Sequence, residues 1–546
     1  MTRSRTFRWG LIIALLLISW GLRLVRLEEV PPGWRDDELI NIHALSSQVL
    51  NGQFPLYYTG ASGHEPLYHH LHAGVHAALG FNVLSGHILS MMFGTLSVAL
   101  TYSLARRLFP RERITAVVAS LTLATSFWSL MYSRTAIRHI SLPPFALATI
   151  YVFWRQMEAE EATLSGWALT GLLLGTSLYT YTASRLLPLL IVGFAAYLLF
   201  LHPELLRKHR KGLVLALVLT ALLVAPLGIV IARNRSRRAI EGIGADARVT
   251  ELAGPLRALQ DGDPGPVIGS TVKTLGMFHA SGDPEWLYNI PNRPVFNLLG
   301  GMLLWIGVAL CIYRWRTPSY SFSLLWLALG LSPAFISTPP ASLGHTILAQ
   351  PVAYILPAVA LTEIRHVARP RSPSTGQSFL TFFGSWALIL LFIVTNSVRD
   401  LRSYFGAWPH EEMVQILYRA DYRQVADHSD AHPQVADLAV TSSLLGPWDR
   451  LALAVDTERD SVNFRLFDPG RALVWTEGQG TSPVVLTTWP RPDPQIRGIL
   501  DSLSVSSETL ASGLRVHSLS AGNLLGTEFP EVCAPGSKDD SNDRHQ

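Results

Sequence analysis

The sequence predicts a mostly α-helical, polytopic membrane bundle with a small α/β domain appended after the last span. Three observations predict it. Hydrophobic residues make up 49% of the 546 and charged ones only 15%, with a mean hydropathy of +0.26; this balance argues against a soluble enzyme. Apolar runs of bilayer length recur as far as residue 397. From about Arg399 the chain turns charged, half-polar and dotted with proline.

A bilayer core takes about 20 apolar residues per helix. On that ruler about eleven spans are expected, at 9–27, 84–105, 114–131, 139–156, 164–180, 186–201, 212–232, 294–313, 320–336, 346–364 and 379–397. Trp9, Trp20, Trp128, Trp154 and Trp286 stand near the ends of such runs, where an amphipathic ring suits a water interface. Met1 to Arg8 is a basic head before the first run with no small-residue cleavage site after it, which reads as an uncleaved signal anchor. Lys and Arg gather on the cytoplasmic side of short loops. With the N-terminus inside, the inner loops are Arg106 to Arg113, the Arg155 to Glu161 turn, Arg207 to Lys211, Arg314 to Arg316 and Arg365 to Arg371, most of them basic, whereas the first outer loop, Glu28 to Asn82, carries one basic residue, Arg35. That asymmetry places the C-terminus outside. The arginines Arg233, Arg235, Arg237 and Arg238 open an outer loop against the rule, but long loops obey it poorly.

Two stretches of the first outer loop look helical without crossing. Leu39, Ile42, Leu45 and Val49 recur at helical spacing with Asp37, Asn41 and Gln48 opposite, the pattern of a helix lying in the interface. Glu65 to Gly80 is the second; its four histidines oppose a spanning role and predict a polar face. The later outer loop 233–293 has a Gly/Pro-rich middle, Gly254 to Gly269. Beyond the last span, His410 to Val425 reads as a helix and Leu438 to Thr441, Ala472 to Trp475 and Val484 to Thr488 as short buried strands, followed by a disordered tail from Pro535. The chain thus divides into a transmembrane part (1–397), an extracytoplasmic α/β domain (398–534) and a tail (535–546). Net charge is only +4, so no nucleic-acid footprint is expected. Two cysteines, Cys311 and Cys533, exclude a disulfide framework.

Every unusual polar cluster falls on the outer face under this topology: Asp36, Asp37 and Glu38 at the mouth of the first span, His64-Glu65, Arg134 with Arg138, Arg185, and Asp283. Acidic groups at the edge of hydrocarbon are costly and commonly functional. Carboxylates and arginines on one face suit transfer from a phosphate-linked donor held in the lipid. One carboxylate takes the proton of an attacking hydroxyl, and cations hold the departing phosphate, which arginine does through bidentate contacts. No general acid is needed, unlike glycoside hydrolysis, which needs two carboxylates at a set separation. Each residue also has a plainer reading. Asp37 suits a helix N-terminus, Arg134 and Arg138 suit snorkelling at a helix end, Glu65 is an acid before a proline, and Asp283-Pro284 is a turn. His64, His69, His70, His72 and His76 carry no His-Glu-x-x-His motif, so no metal ligands are assigned and a divalent cation is left open.

An acidic pair after the first span, then Gly63-His64-Glu65-Pro66-Leu67, then Ser133-Arg134-Thr135-Ala136-Ile137-Arg138, resembles the C-type membrane glycosyltransferases, and within them the bacterial branch near protein O-mannosyltransferases and lipid A aminoarabinose transferases. The resemblance implies a polyprenyl-phosphate sugar donor, inverting transfer on the extracytoplasmic face of the plasma membrane, and an Asp base in the Asp37-Glu38 pair, with Asp36 as an extra neighbour that leaves the base open between two positions. The Trp-Trp-Asp motif of oligosaccharyltransferases is missing, so transfer to asparagine sequons is not expected. Sugar and acceptor are left open. A transporter or flippase for a lipid-linked anion is the alternative, but it would place ionisable groups at the bilayer midplane; a non-catalytic assembly or sensor protein is a third.

Overall fold

The computed structural model describes residues 2–59, 63–111, 113–240, 254–367, 376–433, 437–442, 444, 446–459, 462–468, 484–487, 494–509 and 514–519. They form two compact units, one of Met1–Leu27 with Ile40–Pro409, the other of Glu28–Leu39 with His410–Gln546. The acidic turn of the first loop therefore packs with the C-terminal residues.

The first unit is helical and membrane-spanning. Its helices, numbered with those of the second unit in chain order, are α1 (Thr2–Leu24), α3 (Ser46–Leu50), α4 (Leu67–Leu79), α5 (Val83–Leu108), α6 (Arg113–Thr125), α7 (Phe127–Arg134), α8 (Leu142–Glu158), α9 (Leu164–Ser177), α10 (Leu186–Leu201), α11 (Pro203–Ile240), α12 (Gly254–Gln260), α13 (Gly265–Gly276), α14 (Leu298–Tyr313), α15 (Pro318–Leu331), α16 (Gln350–Val367) and α17 (Gly376–Arg402). Among the described residues, five stretches are long and apolar enough to cross a bilayer, Val83–Leu108, Thr182–Leu201, Pro203–Asn234, Ile347–Val367 and Phe383–His410, or six if the pair α6 and α7 is one span bent by 56°. This corrects the expected count of about eleven. Helices exist at the other expected places, but α9 and α15 have 14 residues each, about 21 Å at 1.5 Å per residue against a hydrocarbon core of about 30 Å. The bend between α6 and α7 has a local cause: Ser126 accepts a hydrogen bond from Ser129 N and Asp400 Oδ2 accepts one from Phe127 N, so a new helix N-terminus begins there.

Burial grades across the unit. The apolar window of Ile347–Val367 is 83% buried and that of Pro203–Asn234 only 17%, so the former runs through the centre and the latter turns its leucines and valines outward, as a lipid-facing helix does. Leu39, Ile42, Leu45 and Val49 are buried as their spacing predicts. The polar face expected of α4 is corrected, because His69, His72 and His76 are buried. The Gly/Pro-rich stretch 254–269 is largely helical in α12 and α13, with Pro255 and Pro266 in first turns where a missing N–H costs nothing.

The second unit holds α2 (Asp36–Leu39), α18 (Glu412–Leu417), α19 (Ala420–Ala431), α20 (Pro447–Asp456) and α21 (Pro494–Leu503) with strands β1 (Asp437–Thr441), β2 (Asn463–Phe467), β3 (Val484–Thr487), β4 (Ser504–Thr509) and β5 (Arg515–Leu519). The sheet order is β2-β1-β3-β5-β4. β1 lies parallel to β2 and β3, while β5 is antiparallel to β3 and β4. Ala439, Phe467, Leu519 and the inner side of α21 (Ile496, Leu500, Leu503) form its core. The helix expected over 410–425 is two helices, broken where Arg419 takes a left-handed φ of 51°. Strands β1 and β3 match the expectation; the strand expected at 472–475 and the tail from 535 lie outside the described residues.

Candidate active site

Glu65 is the node of the membrane unit's polar chemistry. It sits in the turn before α4, which an isolated antiparallel bridge between Tyr58 and His64 and a bond from Leu67 N to Tyr179 O (3.0 Å) hold in place. Gly63 has φ +90°, and a Cβ there would lie 2.1 Å from Tyr57 Oη, so both backbone and space require glycine. Two short 3-10 turns, Arg138–Ser141 before α8 and Thr182–Arg185 before α10, carry the arginines that meet Glu65. Arg138 Nη1 donates to Glu65 Oε2 at 2.9 Å and to Gly63 O at 3.2 Å. Arg185 Nη2 and Thr182 Oγ1 donate to Oε1 at 3.1 and 3.0 Å.

The charges do not cancel. One fully buried carboxylate faces two guanidinium groups, leaving a surplus of one positive charge, and Arg185 keeps half of its side chain exposed. Such a group can receive an anion without first breaking apart, because Arg185 is anchored at one nitrogen and presents further donors. Aromatic rings pack beside Arg138. Arg138 lies 5.4 Å over the Tyr181 ring; Tyr181 packs on His139 at 4.1 Å, and Tyr132 contacts His139 and stacks on Tyr288 at 3°.

The other predicted residues of this unit fall elsewhere or take other duties. His64 stacks on His69 with Nδ1 3.3 Å from Nε2; burial first, then the nearby Arg138 guanidinium, holds its imidazolium form far below the usual range, so the ring is neutral. Arg134, grouped with Arg138 by spacing, is separated from it because the chain leaves α7 extended at Thr135. Its Nη1 caps the carbonyls of Leu22 (2.9 Å) and Arg23 (2.6 Å) and its Nη2 that of Arg26 (3.1 Å), so it closes the end of α1 and does not join the Glu65 group. Among the described residues no three or more His, Cys, Asp or Glu side chains are grouped so as to hold a metal ion.

Asp283 is fully buried and forms the expected turn: Oδ1 accepts from Glu285 N (2.9 Å) and Oδ2 from Leu343 N (2.8 Å). Burial raises its pKa from 3.8 to about 7, against the opposing pull of the two backbone N–H groups. A carboxyl raised in the folded state keeps its proton where the unfolded chain has lost it, so its contribution to stability is full below about pH 4 and falls as pH rises through 7. Thermal unfolding of Asp283→Asn is expected to lack the decline that the wild type shows between those limits; identical pH slopes would contradict the assignment.

The three acids of the first loop belong to the second unit and have separate duties there. Gly33 packs where a Cβ would lie 2.2 Å from Tyr418 O, and Trp34, 1% exposed, donates from Nε1 to Asp456 Oδ1 at 2.8 Å. Glu38 is buried and reaches back to Arg35 N (3.3 Å), the carboxylate half of a capping box. Asp36 accepts from Arg419 Nη2, and Asp37 pairs with Arg35 while keeping 38% of its side chain exposed. Sequence reasoning overlooked Thr182, Tyr181 and His139 around Glu65, and Arg419 and Asp449 in the second unit. Nothing in the local pattern around Trp448-Asp449 signals a buried acid.

Residues 63–229, less than a third of the chain, match the family described as dolichyl-phosphate-mannose-protein mannosyltransferase. No curated protein matches the chain. Among solved structures, the archaeal oligosaccharyltransferase AglB from Archaeoglobus fulgidus, in complex with an inhibitory peptide and a dolichol-phosphate, aligns with a TM-score of 0.51 at 13% identity over 95% of this chain and 75% of its own. The apo oligosaccharyltransferase of that organism gives 0.51 at 15% identity over 82% of this chain and 63% of its own, so this chain spans less than two thirds of it. ArnT from Cupriavidus metallidurans in the apo state gives 0.49 at 13% identity over 95% of this chain and 99% of its own, below the score at which a shared fold follows. At these identities the two alignments at 0.51 establish a common fold.

Proposed function

We propose that this chain is an integral-membrane glycosyltransferase that moves a sugar from a polyprenyl-phosphate carrier to an acceptor hydroxyl on the extracytoplasmic face, with inversion. The observation that carries the reading is the Glu65 node, a buried carboxylate that orients two arginines and leaves one positive charge over. The matched stretch 63–229 includes all three residues, and the AglB structure that shares the fold is described with a dolichol-phosphate.

In this reading the acceptor oxygen attacks the anomeric carbon as the bond from that carbon to the phosphate oxygen breaks, and the bonding pair leaves on the polyprenyl phosphate. Asp37 takes the hydroxyl proton, the role that the family resemblance implies for an aspartate of this acidic turn. Arg138 and Arg185 stabilise the charge that develops on the leaving phosphate. Arg134 is left out of the clamp because its donors close α1. A single displacement inverts the anomeric centre.

The test supplies the purified full-length protein in lipid with a panel of polyprenyl-phosphate sugars and candidate acceptors and reads product by mass spectrometry. One donor is expected to give a product heavier by one glycosyl residue, with release of polyprenyl phosphate. Translocation of a labelled donor with no glycosylated product from any member of the panel would overturn the reading in favour of a flippase.

A further inference from the structure

We infer that the end of the membrane unit opposite the Glu65 group holds a second anion site, a pocket that takes the phosphate of an acidic glycerophospholipid and lays its acyl chain against an apolar wall. Two helices set its distance from Glu65. Arg138 and Arg185 stand within one turn of the starts of α8 and α10. The far ends of those helices reach the surroundings of the pocket. Glu158, the last residue of α8, accepts from Arg107 Nη1 at 2.6 Å; Tyr197 Oη, near the end of α10, donates to Trp315 O at 3.0 Å, and His202 Nε2, just past it, bonds Arg316 O at 2.8 Å. The two helices have 17 and 16 residues, about 25 Å at 1.5 Å per residue, so the two sites lie at opposite ends of the spans.

The pocket, about 170 Å³, lies among the end of α5, the start of α6, the start of α15 and the last turns of α16, with Leu108, Phe109 and Val359 as its apolar wall. Glu363, the carboxylate of its lining, is already matched. Arg314 grips it with both amino groups, Nη1 to Oε1 at 2.5 Å and Nη2 to Oε2 at 2.9 Å, and Tyr320 Oη donates to the same Oε1 at 3.1 Å. The charge that the lining still offers is Arg111, an exposed guanidinium on the turn between α5 and α6, and Thr317 and Ser319 add hydroxyl donors. Cation and hydroxyls on one side and hydrocarbon on the other match a molecule that is anionic at one end and apolar at the other. Arg106, Arg107 and Arg113 on or beside the same turn enlarge the positive field. Span ends are where phospholipid phosphates lie, and with the catalytic face extracytoplasmic this end meets the cytoplasmic leaflet, whose acidic lipids attract basic segments. Thr115 and Thr362, bonded to each other at 2.7 Å, tie α6 to α16 beside the pocket. A lipid seated there therefore clamps the central helix of the unit to its neighbours.

The experiment titrates the purified full-length protein, stripped of lipid in a non-ionic detergent, with phosphatidylglycerol or phosphatidylcholine, while native mass spectrometry counts the lipids bound. Phosphatidylglycerol is expected to fill a first site more tightly than phosphatidylcholine. Arg111→Ala is expected to weaken that site about 5-fold, the effect of one surface arginine on an acidic lipid. Arg113→Ala, close in sequence but outside the lining, is expected to leave it unchanged. Both arginines are exposed, so neither substitution disturbs packing. Ser319→Leu, which fills the pocket without changing its charge, is expected to weaken the site as well. Equal weakening by the two arginine variants, or none by Ser319→Leu, would overturn the pocket and leave only a general attraction between a basic turn and acidic lipid. Equal affinity for the two lipids would remove charge recognition. Displacement of bound phosphatidylglycerol by millimolar inorganic phosphate would overturn the lipid assignment and give the site to the free anion. None of these outcomes bears on the transfer reading, which is tested at the other end of the unit.

Discussion

Asp37→Asn is expected to lower kcat for glycosyl transfer by about 10²- to 10⁴-fold, the range that a positioned general base contributes, with expression and membrane insertion unchanged. The substitution is selective because of how the turn is built. Trp34 and Gly33 fix its start, Glu38 caps its backbone and Asp36 is held by Arg419. An asparagine at 37 keeps the size of the side chain and an acceptor oxygen for Arg35, and loses the capacity to take a proton. The corresponding change at Glu38 would confound folding with chemistry, since that carboxylate is buried and serves the helix start. Near-normal turnover by Asp37→Asn would retire the base assignment.

The second large effect concerns the Glu65 node, where stability and function separate by residue. Glu65→Gln leaves Arg138, whose side chain is 11% exposed, without its counter-charge. Breaking a buried ion pair on one side costs about 3–5 kcal/mol, so a marked fall in unfolding temperature is expected along with lost transfer. Arg185 is half exposed, and exposed pairs contribute about 0–1 kcal/mol. Arg185→Ala is therefore expected to unfold close to the wild-type temperature while transfer falls by about 10²-fold or more, the scale of one lost transition-state donor. A variant that melts normally and transfers poorly separates an anion clamp from a structural ion pair; wild-type transfer by Arg185→Ala would leave Glu65 with a structural role only.

The parts of the fold legible in the sequence were those written in unbroken apolar runs. Val83–Leu108, Pro203–Asn234 and Ile347–Val367 emerge where hydropathy puts them. Windows of hydropathy do not see helix breaks made by side-chain caps, such as Ser126 and Asp400 between α6 and α7, and so they overcount spans. The histidines of α4 were misplaced for a related reason. A polar ring reads as surface until its partners are known, and His72 Nε2 pairs with Gly86 O at 2.9 Å while His76 stacks on Phe81 at 4.1 Å.

At the site, Glu65, Arg138 and Arg185 were each visible as odd polar residues in outer loops, and their meeting follows from two 3-10 turns that sequence spacing does not encode. Spacing misled for Arg134, because the helix it shares in pattern with Arg138 ends between them. Arg419 and Asp449, separated from Asp36 by hundreds of residues, leave no local signature; their pairing comes from packing alone.

Transfer from a lipid-linked donor requires above all that the arginines at Glu65 hold its phosphate. A polyprenyl phosphate carrying a photoreactive group next to the phosphate tests this directly in the full-length protein, with adducts mapped by peptide mass spectrometry. Adducts are expected on the peptides that carry Glu65, Arg138 or Arg185, competed away by unlabelled polyprenyl phosphate and weakened in Arg185→Ala. Competed adducts confined to other helices, equal in wild type and variant, would contradict it.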